Sequence, residues 1–114
     1  MSEQHQELQQ VATLVAAWFA GDYLMFDAVT DAPELAWLAI LQIAQQELTD
    51  EQKSLLAGGP IESLLAWHGS DFIERVLVEA ERNPKFNQLL GGVWRLEMPL
   101  EIWARIEKAR KEVW

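Results

Sequence analysis

Ser70-Asp71-Phe72-Ile73-Glu74-Arg75-Val76-Leu77-Val78-Glu79-Ala80-Glu81-Arg82-Asn83-Pro84 is the stretch whose pattern decides the fold. Phe72, Ile73, Val76, Leu77 and Ala80 recur every three or four positions, so they share one face of an α-helix. Glu74, Arg75, Glu79, Glu81 and Arg82 fall outside that face. Ser70 stands at a capping position, and Asn83-Pro84 closes the segment because proline disfavours helical backbone in the residue before it. A strand requires alternation with period two, and no segment shows it.

The same punctuation extends upstream. Thr49-Asp50-Glu51-Gln52 reads as a capping box opening a short helix that Gly58 ends. Gly59-Pro60-Ile61-Glu62 then puts proline at a first helical position and a carboxylate against the positive end of the helix dipole. That helix carries Ile61, Leu64, Leu65 and Trp67, and His68-Gly69 stops it. Further back, a segment of about 3–20 places Leu8, Val11, Ala12, Val15, Trp18 and Phe19 on one face. Gly21 interrupts it, and residues 23–29 form a short turn or helix. Asp31-Ala32-Pro33-Glu34 reads as a capped start for a helix to about Gln46. Leu35, Trp37, Leu38, Ile40, Leu41 and Ile43 cover most of its circumference, which predicts a central position.

Downstream, Asn83-Pro84 opens a short helix through Phe86, Leu89 and Leu90. Gly91-Gly92 ends it, read as a stop with left-handed backbone, and leaves Val93-Trp94-Arg95 in a loop. Pro99 opens a last helix with Leu100, Ile102, Trp103, Ile106, Ala109 and Val113 facing in. Glu101 with Arg105, and Glu107 with Lys111, are outward pairs at four-residue spacing. The pattern predicts an all-α fold, a compact bundle of six or seven short helices with one core, and a single domain over 1–114.

The ordered set Gly59-Pro60-Ile61-Glu62, His68-Gly69, Phe72-Ile73-Glu74-Arg75, Asn83-Pro84-Lys85-Phe86 and Leu89-Leu90-Gly91-Gly92-Val93-Trp94 resembles a family of small bacterial proteins known only as a domain of unknown function. Trp103-Ala104-Arg105 is similar to that family's closing helix. Asn83 departs from the commoner Asp, and either residue caps a helix. The resemblance implies a helical fold and brings no activity, substrate or cofactor.

Composition narrows the class further. Half of the 114 residues are hydrophobic and 24% are charged, the balance of a globular chain rather than a disordered one. Zero cysteines exclude disulfides and thiolate chemistry and fit a reducing compartment. The polar, acidic N-terminus lacks a secretory pattern, and the longest apolar run is too short to span a bilayer. The expected location is therefore the cytoplasm, without membrane association. The net charge of −9 is one-sided: residues 1–52 hold nine acids and no Lys or Arg, whereas nine acids face nine bases from Lys53 onward. Such asymmetry suits a basic partner, and it disfavours direct nucleic-acid binding, which needs Lys and Arg on the contact face.

Glu62, His68, Asp71, Glu74 and Arg75 form the most enzyme-like cluster. His68 with a carboxylate suits acid–base work, and Arg75 an anionic substrate. Each also has a structural role: helix-end carboxylates for Glu62 and Asp71, a cap for His68, an outward face for Glu74 and Arg75. With only His5 and His68 as histidines, and no metal-ligand spacing, no metal site and no cofactor are expected. Glycine pairs lack a phosphate-loop continuation, and no serine sits in a nucleophile elbow. Trp18, Trp37 and Trp67 are read as core. Trp94, beside Arg95, and Trp114 are the tryptophans suited to exposure, and Trp94 to an interface. The leading expectation is a non-enzymatic protein–protein interaction module, immunity- or antitoxin-like in one version, with a basic protein or a second copy as partner. The alternative is a small enzyme or ligand-binding protein with a pocket near Glu62, His68, Arg75 and Trp94.

Overall fold

The computed structural model describes residues 2–114, with side chains from residue 4 onward. The fold is all-α: among the described residues there are seven α-helices, one π-helical turn and no strand. The chain divides into two compact units, Met1–Gln46 and Glu47–Trp114.

In the first unit, α1 (Ser2–Phe19), α2 (Leu24–Asp31) and α3 (Pro33–Ala44) pack pairwise. The core is Val11, Leu14 and Ala17 of α1, Met25, Ala28 and Val29 of α2, and Ala36, Trp37, Ala39, Ile40, Ile43 and Ala44 of α3. The small residues Ala36, Ala39 and Ala44 let neighbouring elements approach α3 closely. Of the predicted α1 face Val11 is buried and Val15 and Trp18 are half-buried, but Leu8, Ala12 and Phe19 are exposed, and Leu14 and Ala17 complete the buried stripe instead. At 1.5 Å per residue α1 is about 27 Å long and α3 about 18 Å, so the first turns of α1 outrun their partner. Gly21 (φ 79°) ends α1 in a Schellman motif, with Asp22 N–H on the Ala17 carbonyl and Gly21 N–H on the Trp18 carbonyl.

Asp31 does not cap α3, contrary to the pattern reading; it is the last residue of α2. Pro33 alone makes the break, by forcing Ala32 to φ −142°, ψ 62°. Ala32 needs no side-chain cap, because its N–H reaches the Ala28 carbonyl at 2.7 Å and its carbonyl accepts the Ala36 N–H at 3.1 Å.

The second unit comprises α4 (Asp50–Leu56), α5 (Glu62–Arg82), α6 (Pro84–Leu90) and α7 (Leu100–Ala109). The Thr49–Gln52 capping box forms in both directions. Gly58 and Pro60 do not separate two helices as their local signals imply. The backbone widens into a π turn, Ala57–Ile61, and runs on into α5. A wider turn suits Pro60, which has no N–H to donate and whose ring would crowd the i−4 carbonyl of a regular helix; Glu62 N–H reaches the Ala57 carbonyl, five residues back.

At His68-Gly69 the expected interruption is present: His68 leaves helical geometry (φ −132°, ψ 27°), so α5 is two helical segments joined across a kink. Gly69 is needed for packing: a Cβ there would sit 3.2 Å from Ile102 of α7. Trp67 is exposed rather than core, because the buried arc of Ile61, Leu64 and Leu65 continues at His68, and Trp67 lies about 100° off it. In α7 Ile102 and Ile106 are buried, whereas Leu100 and Val113 are exposed; the helix ends at Ala109, so Val113 is outside it. The outward pairs also differ: Arg105 meets Glu74 of α5, and Glu107 meets Arg110.

Candidate functional site

The π turn sets the site. One extra residue in a helical turn rotates everything after it by about 100°, and Glu62 is the first residue beyond the turn. Glu62 as a residue is 5% exposed, and its carboxylate accepts the Trp94 backbone N–H at 2.6 Å. Burial pushes the Glu62 carboxyl above its ordinary range, and the Trp94 hydrogen bond opposes that shift.

The other end of the same peptide group is also held. Arg110 Nη1 donates to the Val93 carbonyl at 3.3 Å, so an acid and a base grip the N–H and C=O of one peptide bond. The Arg110 side chain is only 9% exposed. Its guanidinium lies 4.8 Å from the Trp103 ring centre and 5.8 Å from that of Trp94, and the two rings are 6.5 Å apart at 30°. Arg95 Nε donates to the Met98 carbonyl, and the Met98 N–H returns to the Arg95 carbonyl at 2.7 Å, which closes the turn. Leu96 at its tip has φ 41°, a left-handed conformation that costs a leucine about 1–2 kcal/mol.

This fixed loop presents apolar surface. Trp94 is 51% exposed and Leu96 76%, and Leu100, also exposed, begins α7. The structure brings Glu62, Trp94 and Arg95 to the loop and distributes the other sequence-derived candidates along α5. Arg75 lies beyond the kink from Glu62, 13 residues on, and its guanidinium covers the Phe72 ring at 4.4 Å. Asp71 is exposed, and His68 stands at the kink with a buried Nε2 lacking a hydrogen-bond partner. Glu74 accepts Arg105 at 2.6 Å, and that hydrogen bond lowers its carboxyl below the usual range. Among the described residues no group of three or more His, Cys, Asp or Glu side chains is arranged to hold a metal ion, and no helix is long and apolar enough to cross a membrane.

The family comparison is decisive at one level. A model described as a family of unknown function, DUF6869, matches residues 5–113. The chain belongs to DUF6869. The match spans both units, including the N-terminal unit that lies outside the residues carrying the resemblance. No curated protein and no solved structure matches the chain. Within this DUF6869 member, Arg110, Trp103 and Asn87 complete the site and its support without any local sign in the sequence. Arg110 lies in the cationic run Lys108–Lys111, which reads as an ordinary complement to the helix dipole.

Asn87, 4% exposed, is the support. Its Nδ2 donates to the carbonyls of Ala80 (3.3 Å) and Ala109 (3.1 Å), and its Oδ1 accepts the Lys111 N–H at 3.0 Å. Both carbonyls lack helical partners: Pro84 has no N–H for Ala80, and Ala109 ends α7. Asn87 thereby fixes the segment that carries Arg110. Trp114 is exposed, as expected, and also lies across Gly91-Gly92, with its indole N–H on the Gln88 carbonyl at 2.7 Å. The glycine pair serves that contact and has no left-handed φ; a Cβ on Gly92 would come within 2.5 Å of the Trp114 ring.

Proposed function

We propose that this DUF6869 protein is a non-enzymatic protein-binding module whose contact surface is the loop at Trp94, Leu96 and Leu100. The observation that carries this reading is an exposed tryptophan on a peptide gripped at both ends by largely buried charged groups. A pre-ordered aromatic anchor loses little entropy on binding, and Trp is among the residues that dominate interface energies. The acidic N-terminal unit supports the reading by attracting a basic protein electrostatically, with an on-rate that salt weakens. An immunity- or antitoxin-like role is one form of that activity. The single family match across both units supports treating 1–114 as one functional domain, and the absence of cysteine fits the cytoplasm.

The alternative of a small enzyme using Glu62, His68, Arg75 and Trp94 finds less support. The Glu62 carboxylate already accepts a backbone N–H, and Arg75 lies beyond the kink in α5. The test is affinity capture with the full chain at low and moderate salt, beside Trp94→Ala. A basic protein retained at low salt, released as salt rises and lost with Trp94→Ala is expected. Unchanged capture by Trp94→Ala would remove the loop from the reading, and negligible affinity at low salt for every partner would end it.

A further inference from the structure

Within the first unit, α1, α2 and α3 leave an open groove of about 570 Å³. Leu14, Leu24, Ala28 and Leu35 supply its apolar lining, and Gln6 and Gln10 are among the uncharged polar residues along α1. Leu24 remains exposed although it lines the groove. On α2 positions 24, 27, 28 and 31 follow one helical stripe, so Asp27 and Asp31 flank Leu24 and Ala28 without themselves lining the groove. Both aspartates are exposed, and no Lys or Arg exists anywhere in this unit.

From this groove we infer the class of partner: an amphipathic helical segment of a basic protein, its apolar row in the groove and its Lys or Arg residues along the Asp27–Asp31 edge. The inference rests on the protein-binding reading and names a second contact, separate from the Trp94 loop. Three features select this occupant. The lining is apolar with amide-bearing neighbours, the pattern that receives anchors at i, i+3 or i+4 and i+7. The bordering charge has one sign, so a cationic helix meets attraction and no repulsion. A second copy of the chain would set Asp27 and Asp31 against their own images, which like-charge repulsion opposes.

The experiment is amide chemical-shift mapping on the full chain, titrated with three 18-residue peptides. One places Leu on one helical face and Lys on the other; the second scrambles the same residues; the third replaces every Lys with Glu. The expected result is shifts in α1, α2 and Leu35 with the Leu/Lys helix, and neither control reproducing them. The double substitution Asp27→Asn/Asp31→Asn should weaken that binding about tenfold, the effect of two exposed charge pairs, without altering the helical content. Leu24→Gln should weaken it independently of salt. Shifts confined to residues 91–103 would overturn the groove and leave the Trp94 reading standing. Equal binding of the scrambled peptide, insensitivity to the double substitution, or no shifts with any peptide at low salt would each overturn the inference. Light scattering that shows a dimer strengthened by Asp27→Asn/Asp31→Asn would assign the groove to a second copy instead.

Discussion

Replacing Asn87 with alanine is the sharpest test of how the second unit is held together. The substitution removes three hydrogen bonds, to Ala80, Ala109 and Lys111, each contributing about 1 kcal/mol net. It also strands the Ala80 carbonyl, whose helical partner position is occupied by Pro84. A buried carbonyl without a partner costs a further ~1–3 kcal/mol, less where water reaches it. Water has access on one side, because Asn87, Ala80 and Ala109 line an open surface depression with Lys108 and Lys111. The expected loss is therefore about 3 kcal/mol, below the simple sum. Asn87→Asp is nearly isosteric yet sets a carboxylate against two carbonyl oxygens, and it should cost more than alanine at neutral pH.

Urea unfolding followed by far-ultraviolet circular dichroism measures the loss, and hydrogen exchange at the Lys111 amide locates it. That amide should lose protection in Asn87→Ala while the α3 amides keep theirs. A loss under 1 kcal/mol, or unchanged protection at Lys111, would refute the reasoning that one amide side chain satisfies both helix ends.

Three other perturbations follow from the geometry. The Glu62 carboxyl is raised by burial, so the folded chain binds its proton more tightly than the unfolded chain, and the associated stability is full below pH 4.5 and lost as pH rises through the raised value. Glu62→Gln keeps an acceptor for Trp94 and should match wild type in acid and exceed it increasingly above that pH, read from urea midpoints across pH. Gly92→Ala should destabilise by about 1–3 kcal/mol by unseating Trp114, and Trp114→Ala should largely abolish that penalty in a double-mutant cycle. Leu96→Gly should raise the melting temperature, since relief of left-handed strain of about 1–2 kcal/mol exceeds the added unfolded-state entropy; a lower melting temperature would contradict the strain assignment.

Legibility in the sequence follows the range of the interaction. The Thr49 capping box, the Asn83-Pro84 start of α6 and the apolar face of α5 are visible because their determinants lie within one or two turns. The interruption at His68-Gly69 is equally local and appears as a kink, whereas at Gly58-Gly59-Pro60 the expected break becomes a π turn. Ile61, Leu64 and Leu65 are all buried on one face by ordinary helical spacing, and the π turn ending at Ile61 lets the backbone run on into that helix without a stop. Trp67 was legible in principle, since its position on the wheel already separates it from Ile61 and Leu65. The site was half legible. Glu62 and Trp94 stand out by type, but their bond spans 32 positions, that of Asn87 to Lys111 spans 24, and that of Trp114 to Gln88 spans 26. No periodicity encodes such pairings.

The grip on the Val93–Trp94 peptide separates a structural role from recognition. Partial removal of Glu62 and Arg110 from water carries a cost before any hydrogen bond is counted, and uncharged groups of similar shape often hold a backbone as well. The double substitution Glu62→Gln/Arg110→Met tests this. Gln retains the acceptor for Trp94 N–H, and Met retains apolar contact with Trp103 while abandoning the Val93 carbonyl and the ring-stacked cation. If the charges serve stability alone, the variant should be less stable by about 2 kcal/mol or more. On the recognition reading, the double variant stays within about 1 kcal/mol of wild type, because desolvation gains offset the lost bonds. Its Trp94 fluorescence anisotropy, measured with the other five tryptophans replaced by phenylalanine, should nonetheless fall, and affinity for a captured partner should fall with it. Rigid Trp94 and intact affinity in a stable double variant would refute the link between this charged grip and binding.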